Sequence, residues 1–128
     1  MAALDARNPQ AMTGRLGISR GLLVTGASGF VGRRVLACAS ERFERVLALA
    51  RSEIAELPAA VEALRVDLLE PAPAAWERSL AGCDAVIHLA ATTGKASPAE
   101  YARGNVAVTA RVLAAAKQAG VRHFVHVS

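Results

Sequence analysis

The chain has 128 residues, 53% hydrophobic and 20% charged, a balance that excludes an intrinsically disordered chain and fits one globular domain with its own core. No apolar run reaches the roughly 18 residues of a membrane span, and the first twenty residues hold no continuous apolar stretch of the signal-peptide kind. The net charge of +4 and the pI of 9.8 are spread over scattered arginines with only 4% aromatic residues, which argues against a nucleic-acid surface and for a modestly basic face suited to an anionic ligand.

Residues 1–20 read as a flexible, Arg-containing extension, with Met12 as an alternative start. From residue 21 onward strand and helix patterns alternate with short connections, the pattern of a parallel sheet covered by helices on both faces. The first strand is expected over residues 21–25 and runs directly into Thr25-Gly26-Ala27-Ser28-Gly29-Phe30-Val31-Gly32. Three glycines at steps of three, between a buried strand and a helix start, form a turn that lets backbone approach a pyrophosphate. The helix that follows aims its unpaired N–H groups and the positive end of its dipole at that anion. Gly26 is assigned the tight turn, Gly29 the close approach of phosphate, and Gly32 the close packing of helix on sheet. Ser28 serves either the phosphate or the turn. Thr25, Gly26, Ser28, Gly29, Phe30, Val31 and Gly32 are the cofactor-binding candidates of this turn, with Phe30 and Val31 also expected to point into the core. The first helix is predicted from Phe30 to Ser40, with Val31, Val35 and Leu36 at helical spacing.

The second strand is Arg45 to Ala50, followed by Arg51. A carboxylate at this place would accept hydrogen bonds from a ribose 2′-OH, whereas an arginine pairs with a 2′-phosphate. Arg51 therefore favours NADP(H) over NAD(H), with Arg33 and Arg34 adding positive charge; the plainer reading of Arg51 is a solvated surface side chain. Residues 52–57 suggest a short helix before Pro58. A third strand is expected over about 63–66, ending at Asp67-Leu68, where the carboxylate meets an adenine amino group or caps the next turn. Pro71 and Pro73 are expected to open a helix through Trp76 to Leu80, closed by Gly82.

The fourth strand is Ala85 to Ala90. The small residues Ala90 and Ala91 then leave room for the adenosine ribose, with Leu89 beside them a further cofactor-binding candidate, and His88 is read as a packed histidine. Ser97-Pro98-Ala99-Glu100 is a capping box with proline at the first helical position. It opens a helix whose apolar face is Val108, Val112 and Ala115, continued by Ala119, with Gly120 closing it. The fifth strand is Arg122 to Val127; its histidines, His123 and His126, lie three apart and point to opposite faces, so they form no metal pair. Cys38 and Cys83 lie far apart with no CxxC or Cys/His spacing, so they read as reduced thiols of a cytoplasmic protein, and no metal site is expected. Together these elements predict an α/β, Rossmann-type doubly wound parallel sheet of about five strands in the order 3-2-1-4-5, with its ligand crevice at the carboxyl ends of strands one and four.

The chain resembles the extended short-chain dehydrogenase/reductase family, also called the NAD-dependent epimerase/dehydratase family. The matching residues are Thr25-Gly26-x-x-Gly29-x-x-Gly32, Asp67-Leu68, Asp84-Ala85-Val86-Ile87-His88-Leu89-Ala90-Ala91, Tyr101-x-x-x-Asn105 and Phe124-Val125-His126-Val127-Ser128. They span residues 21–128. The resemblance implies a nicotinamide cofactor and, in a complete enzyme, an alcohol, ketone or sugar-nucleotide substrate, with a homodimer as the full-length form. It places Asn105 and Ser128 as neighbours of the active site. It also implies a Tyr-x-x-x-Lys pair for proton transfer, and in these 128 residues the one tyrosine, Tyr101, is followed four positions later by Asn105. No catalytic residue is therefore assigned here, and the chain alone is expected to be inactive. It reads as the cofactor-binding part of a family oxidoreductase or epimerase, truncated after strand five. The alternatives are a non-catalytic NADP(H)-binding sensor or interaction module, and a poorly folding remnant.

Overall fold

The computed structural model describes residues 20–70 and 74–128. The expected extension over residues 1–19 and the helix-opening role of Pro71 and Pro73 lie outside the described residues. Five strands, β1 (Gly21–Thr25), β2 (Arg45–Ala50), β3 (Val61–Arg65), β4 (Ala85–His88) and β5 (His123–His126), form one parallel sheet in the order β3-β2-β1-β4-β5. This is the Rossmann-type order expected from the alternation of patterns. Strand β1 lies at the centre and is buried along its whole length, which is why it reads as an unbroken apolar run rather than an alternating one.

The pleat sends neighbouring residues to opposite faces, and each face carries its own core. Leu22 and Val24 join Val46, Ala48, Leu36 and Ala39 on the face covered by α1 (Phe30–Ala39). Leu23, Leu47, Leu49 and Val86 pack on the other face against α2 (Ala74–Arg78), where Trp76 is fully buried, and against Val108, Val112 and Ala116. The last three lie on α4 (Val108–Gln118). It is continuous with α3 (Pro98–Tyr101) and a π-helical stretch (Ala102–Ala107). Among the described residues no helix is long and apolar enough to cross a membrane.

Several expectations need correction. Phe30 and Val31 are exposed, at 73% and 51%, rather than pointing into the core. The buried stripe of α1 is Gly32, Leu36 and Ala39. The contact of Gly32 with the turn sets the helix phase, and Val31 then faces away. No helix forms over residues 52–57; the segment is irregular, held by Ile54 in the core, and too short to nucleate a helix unaided. Strand β3 starts at Val61, two residues early. Helix α2 ends at Arg78, and the chain to Ala81 tightens into i→i−3 bonds from Ser79, Leu80 and Ala81. The stripe of α4 moves to Ala116, with Ala115 half-buried and Ala119 exposed. Gly120 still closes the helix, at φ +81.

Candidate functional site

At the carboxyl ends of the strands, where β1 and β4 part, lies a crevice of about 670 Å³. Four loops converge on it. The glycine turn contributes Gly26, Ser28 and Gly29; the end of β2 contributes Leu49, Ala50, Arg51 and Ser52; the segment after β3 contributes Val66, Asp67, Leu68 and Leu69. The loop after β4 contributes Leu89 through Thr93, with Lys95 and Ala96, and the helix beyond it adds Glu100, Arg103, Gly104 and Val108. A crevice at the switch point of a parallel sheet is where this architecture binds ligands.

The glycines divide into two kinds. At Gly26, φ is +66 and a Cβ would lie 2.7 Å from the Ala90 nitrogen; at Gly32 a Cβ would lie 2.5 Å from the Gly26 oxygen and 2.7 Å from Ala27 backbone atoms. The fold itself requires glycine at both. Gly29 differs. Its backbone is extended, at φ −75 and ψ 178, which any residue adopts, and a Cβ would meet nothing nearer than 3.6 Å. It is also the N-cap of α1, with no side-chain cap and no acidic residue in the first turn. The first amide groups of α1 therefore have no partner of the capping kind, at a helix start whose N-cap, Gly29, lines the crevice with Ser28. The start of α3 is closed instead. Ser97 Oγ accepts from the Glu100 amide at 3.1 Å, and Glu100 Oε1 accepts from the Ser97 amide at 2.8 Å.

Arg51 is exposed on the wall at the end of β2. Asp67 Oδ1 accepts from the Leu69 amide at 3.0 Å, a turn-capping bond that uses one carboxylate oxygen while the residue lines the crevice. Leu68 is buried beneath it. Thr25 does not line the crevice: it is fully buried behind the turn, and its hydroxyl accepts from the Leu89 and Ala90 amides at 3.0 and 3.1 Å. Phe30, Val31 and Gly32 also stand outside the walls, and the Arg34 guanidinium lies 4.8 Å over the Phe30 ring. Ser128 is exposed, just past Val127, whose amide donates to the His88 carbonyl; it is not part of the walls.

Asn105 is half-buried and faces the loop after β4. Its Oδ1 accepts from the Thr92 amide at 2.7 Å and its Nδ2 donates to the Thr92 carbonyl at 3.1 Å. Gly104 beside it makes room for this loop, since a Cβ would lie 1.7 Å from Thr92 Oγ1. The π-helical stretch, in which the Val108 amide donates to the Arg103 carbonyl, carries both residues. Sequence reasoning missed Gly104, Thr92, Lys95 and Arg103. The signal for Gly104 was its place inside a helix, where glycine costs about 1 kcal/mol against alanine and implies close packing. His88, fully buried, lies with Nδ1 2.7 Å from Thr25 Oγ1 and Nε2 2.9 Å from Thr109 Oγ1. Burial lowers its pKa, and His126 lowers it further.

The sheet order, the glycine turn at the switch point and the uncapped helix start together define a Rossmann-type nucleotide-binding domain. Residues 22–128 match the NAD dependent epimerase/dehydratase family, and the chain belongs to that family. It is 43% identical over 110 residues to a 4-hydroxy-2-methyl-3-oxo-4-farnesyl-3,4-dihydroquinoline-1-oxide ketoreductase of Stigmatella aurantiaca, covering 82% of this chain and 32% of the relative. It is 38% identical over 109 residues to a 2-alkyl-3-oxoalkanoate reductase of Stenotrophomonas maltophilia, covering 84% of this chain and 32% of the relative. The chain thus spans about one third of the length of these curated relatives. A variant of uronate dehydrogenase from Agrobacterium tumefaciens in complex with NAD superimposes with a TM-score of 0.73 at 26% identity, over 85% of this chain and 40% of that one.

Proposed function

We propose that the crevice binds a nicotinamide dinucleotide and that the chain is the cofactor-binding part of an oxidoreductase acting on an alcohol or ketone. The observation that carries this reading is Gly29. The fold does not need a glycine there, yet its missing Cβ keeps open the space in front of an uncapped helix start. A pyrophosphate would take the amides of that first turn. Arg51 favours a 2′-phosphate, and thus NADP(H) over NAD(H), because β2 ends without a carboxylate. Asp67 and Leu68, which line the crevice, would border the adenine, and Ala90 and Ala91 the adenosine ribose. The bound cofactor would supply hydride transfer. The reductive names of the two relatives and the NAD complex of the structural neighbour support this class.

The test is calorimetric titration of the 128-residue chain with NADP+ and NAD+. Saturable one-to-one binding, tighter for NADP+, is expected. Absence of binding by either nucleotide at millimolar concentration would overturn the reading.

A further inference from the structure

Thr25 and His88 are polar residues buried completely inside the sheet, on adjacent strands and directly opposite in register. Buried polar groups at such a place must find partners. The Thr25 oxygen already accepts two amide hydrogens, from Leu89 and Ala90, which occupies both of its lone pairs. Its proton is then left to donate, and His88 Nδ1 stands 2.7 Å away to accept it. The ring hydrogen of neutral His88 must therefore sit on Nε2, from which it donates to Thr109 Oγ1 on α4.

We propose that Thr25 and His88 are a positioning pair for the dinucleotide crevice, in which neutral His88, as the Nε2–H tautomer, orients the Thr25 hydroxyl to hold the Leu89 and Ala90 amides. The pair rests on the dinucleotide reading of that crevice. Leu89 and Ala90 line it, and Ala90 backbone is also what a Cβ at Gly26 would strike. Moving these amides therefore moves the glycine turn. Protonation of His88 places a third hydrogen against an oxygen with two lone pairs, and the arrangement fails. The facing groups are few: β1 presents Thr25, α4 presents Thr109, and β5 presents Phe124 and His126, with His126 the titratable one at 5.7 Å between ring centres. Burial and His126 both favour the neutral ring.

Two substitutions separate the two ends of the ring. In His88→Asn the amide oxygen stands near the place of Nδ1 and keeps the acceptor for Thr25. In His88→Gln the amide nitrogen reaches the place of Nε2 and that acceptor is lost. With NADP+ at pH 7.5, His88→Asn is expected to bind within about threefold of the parent and His88→Gln about tenfold weaker or more. Nitrogen-15 spectra of the parent's imidazole should show the Nε2–H tautomer without any ligand. An Nδ1–H tautomer, or equal affinity of the Asn and Gln variants, overturns the pair. Should a His88 variant not fold, Thr25→Ser and Thr25→Val carry the same test, the first retaining affinity and the second losing it; equal affinity of those two overturns the pair. If no dinucleotide binds the parent, the proposal falls with the crevice reading, and an Nε2–H spectrum then locates the failure in the ligand rather than in the hydrogen bonds.

Discussion

Alanine at Gly29 and at Gly32 should have opposite consequences, although the two glycines sit three residues apart in one motif. At Gly32 the added Cβ lies 2.5 Å from the Gly26 oxygen and 2.7 Å from Ala27 backbone. These are backbone atoms of a tight turn and cannot swing aside, so α1 must move off the sheet. Overpacking of this kind costs about 1–3 kcal/mol. The gain in helix propensity, about 1 kcal/mol, offsets only part of it. The net loss of up to about 2 kcal/mol lowers Tm by roughly 4 °C per kcal/mol for a domain of this size. At Gly29 the nearest atom is 3.6 Å away and the backbone is extended. Reduced entropy of the unfolded chain gains about 0.4–1 kcal/mol, and the poorer N-cap cancels much of that, so Tm should hold within about 3 °C. Binding should behave differently, because the methyl group fills the space assigned to phosphate. A loss of about 1.4 kcal/mol or more means at least about tenfold in Kd. Thermal melts and NADP+ titrations of both variants check this. A Gly29→Ala protein that melts and binds like the parent would refute the assignment of that space to the ligand.

Arg51→Asp should weaken NADP+ by about tenfold or more while changing NAD+ by less than about threefold, since it removes a charge-assisted pair and adds repulsion to one ligand only; equal losses would remove Arg51 from the specificity argument. Stability should fall as the pH drops below about 6.5. There the unfolded chain protonates its His88, while burial and His126 hold the folded ring neutral, so stability is fully present above that pH and is lost at up to about 1.4 kcal/mol per pH unit below it. Urea denaturation at pH 7.5 and 5.5 measures the slope, which should shrink in His88→Asn; an unchanged slope in that variant would assign it to other groups.

The sheet and most of the crevice were legible because their signals are local. The apolar run Leu22-Leu23-Val24, the glycine spacing and the Ser97-to-Glu100 capping box each declare an element from a few adjacent residues. Strand order then follows from the alternation of strands with helices. What escaped depends on contacts between distant segments. The rotation of α1 is set by Gly32 against Gly26, so residues 30 and 31 looked apolar enough for the core and are exposed instead. The double hydrogen bond of Asn105 to Thr92 and the close approach at Gly104 join residues 12 or more apart through a π-helical stretch that no short pattern announces. The same holds for Thr25, whose motif position suggested a ligand contact. Its hydroxyl is used entirely within the protein, by β4 on one side and His88 on the other.

Two helix starts border the crevice, those of α1 and α3. The chain closes one with a reciprocal cap, Ser97 and Glu100, and leaves the other, at Gly29, without any. If stability alone decided, α1 would also begin with a capping side chain, since Ser, Thr, Asp and Asn all exceed glycine there by a few tenths of a kcal/mol. Gly29→Asp should therefore fold at least as well as the parent, because the extended backbone accepts it and the carboxylate can cap the free amides. It should also lose dinucleotide binding, since the carboxylate occupies the anion's place and repels phosphate. Ser97→Ala is the mirror case: it should cost about 1 kcal/mol of stability and leave Kd unchanged within about twofold. Melting temperature and calorimetric titration, run on the two variants together, separate the roles. A Gly29→Asp protein that still binds NADP+ at parental affinity would mean that the open helix start serves no anion.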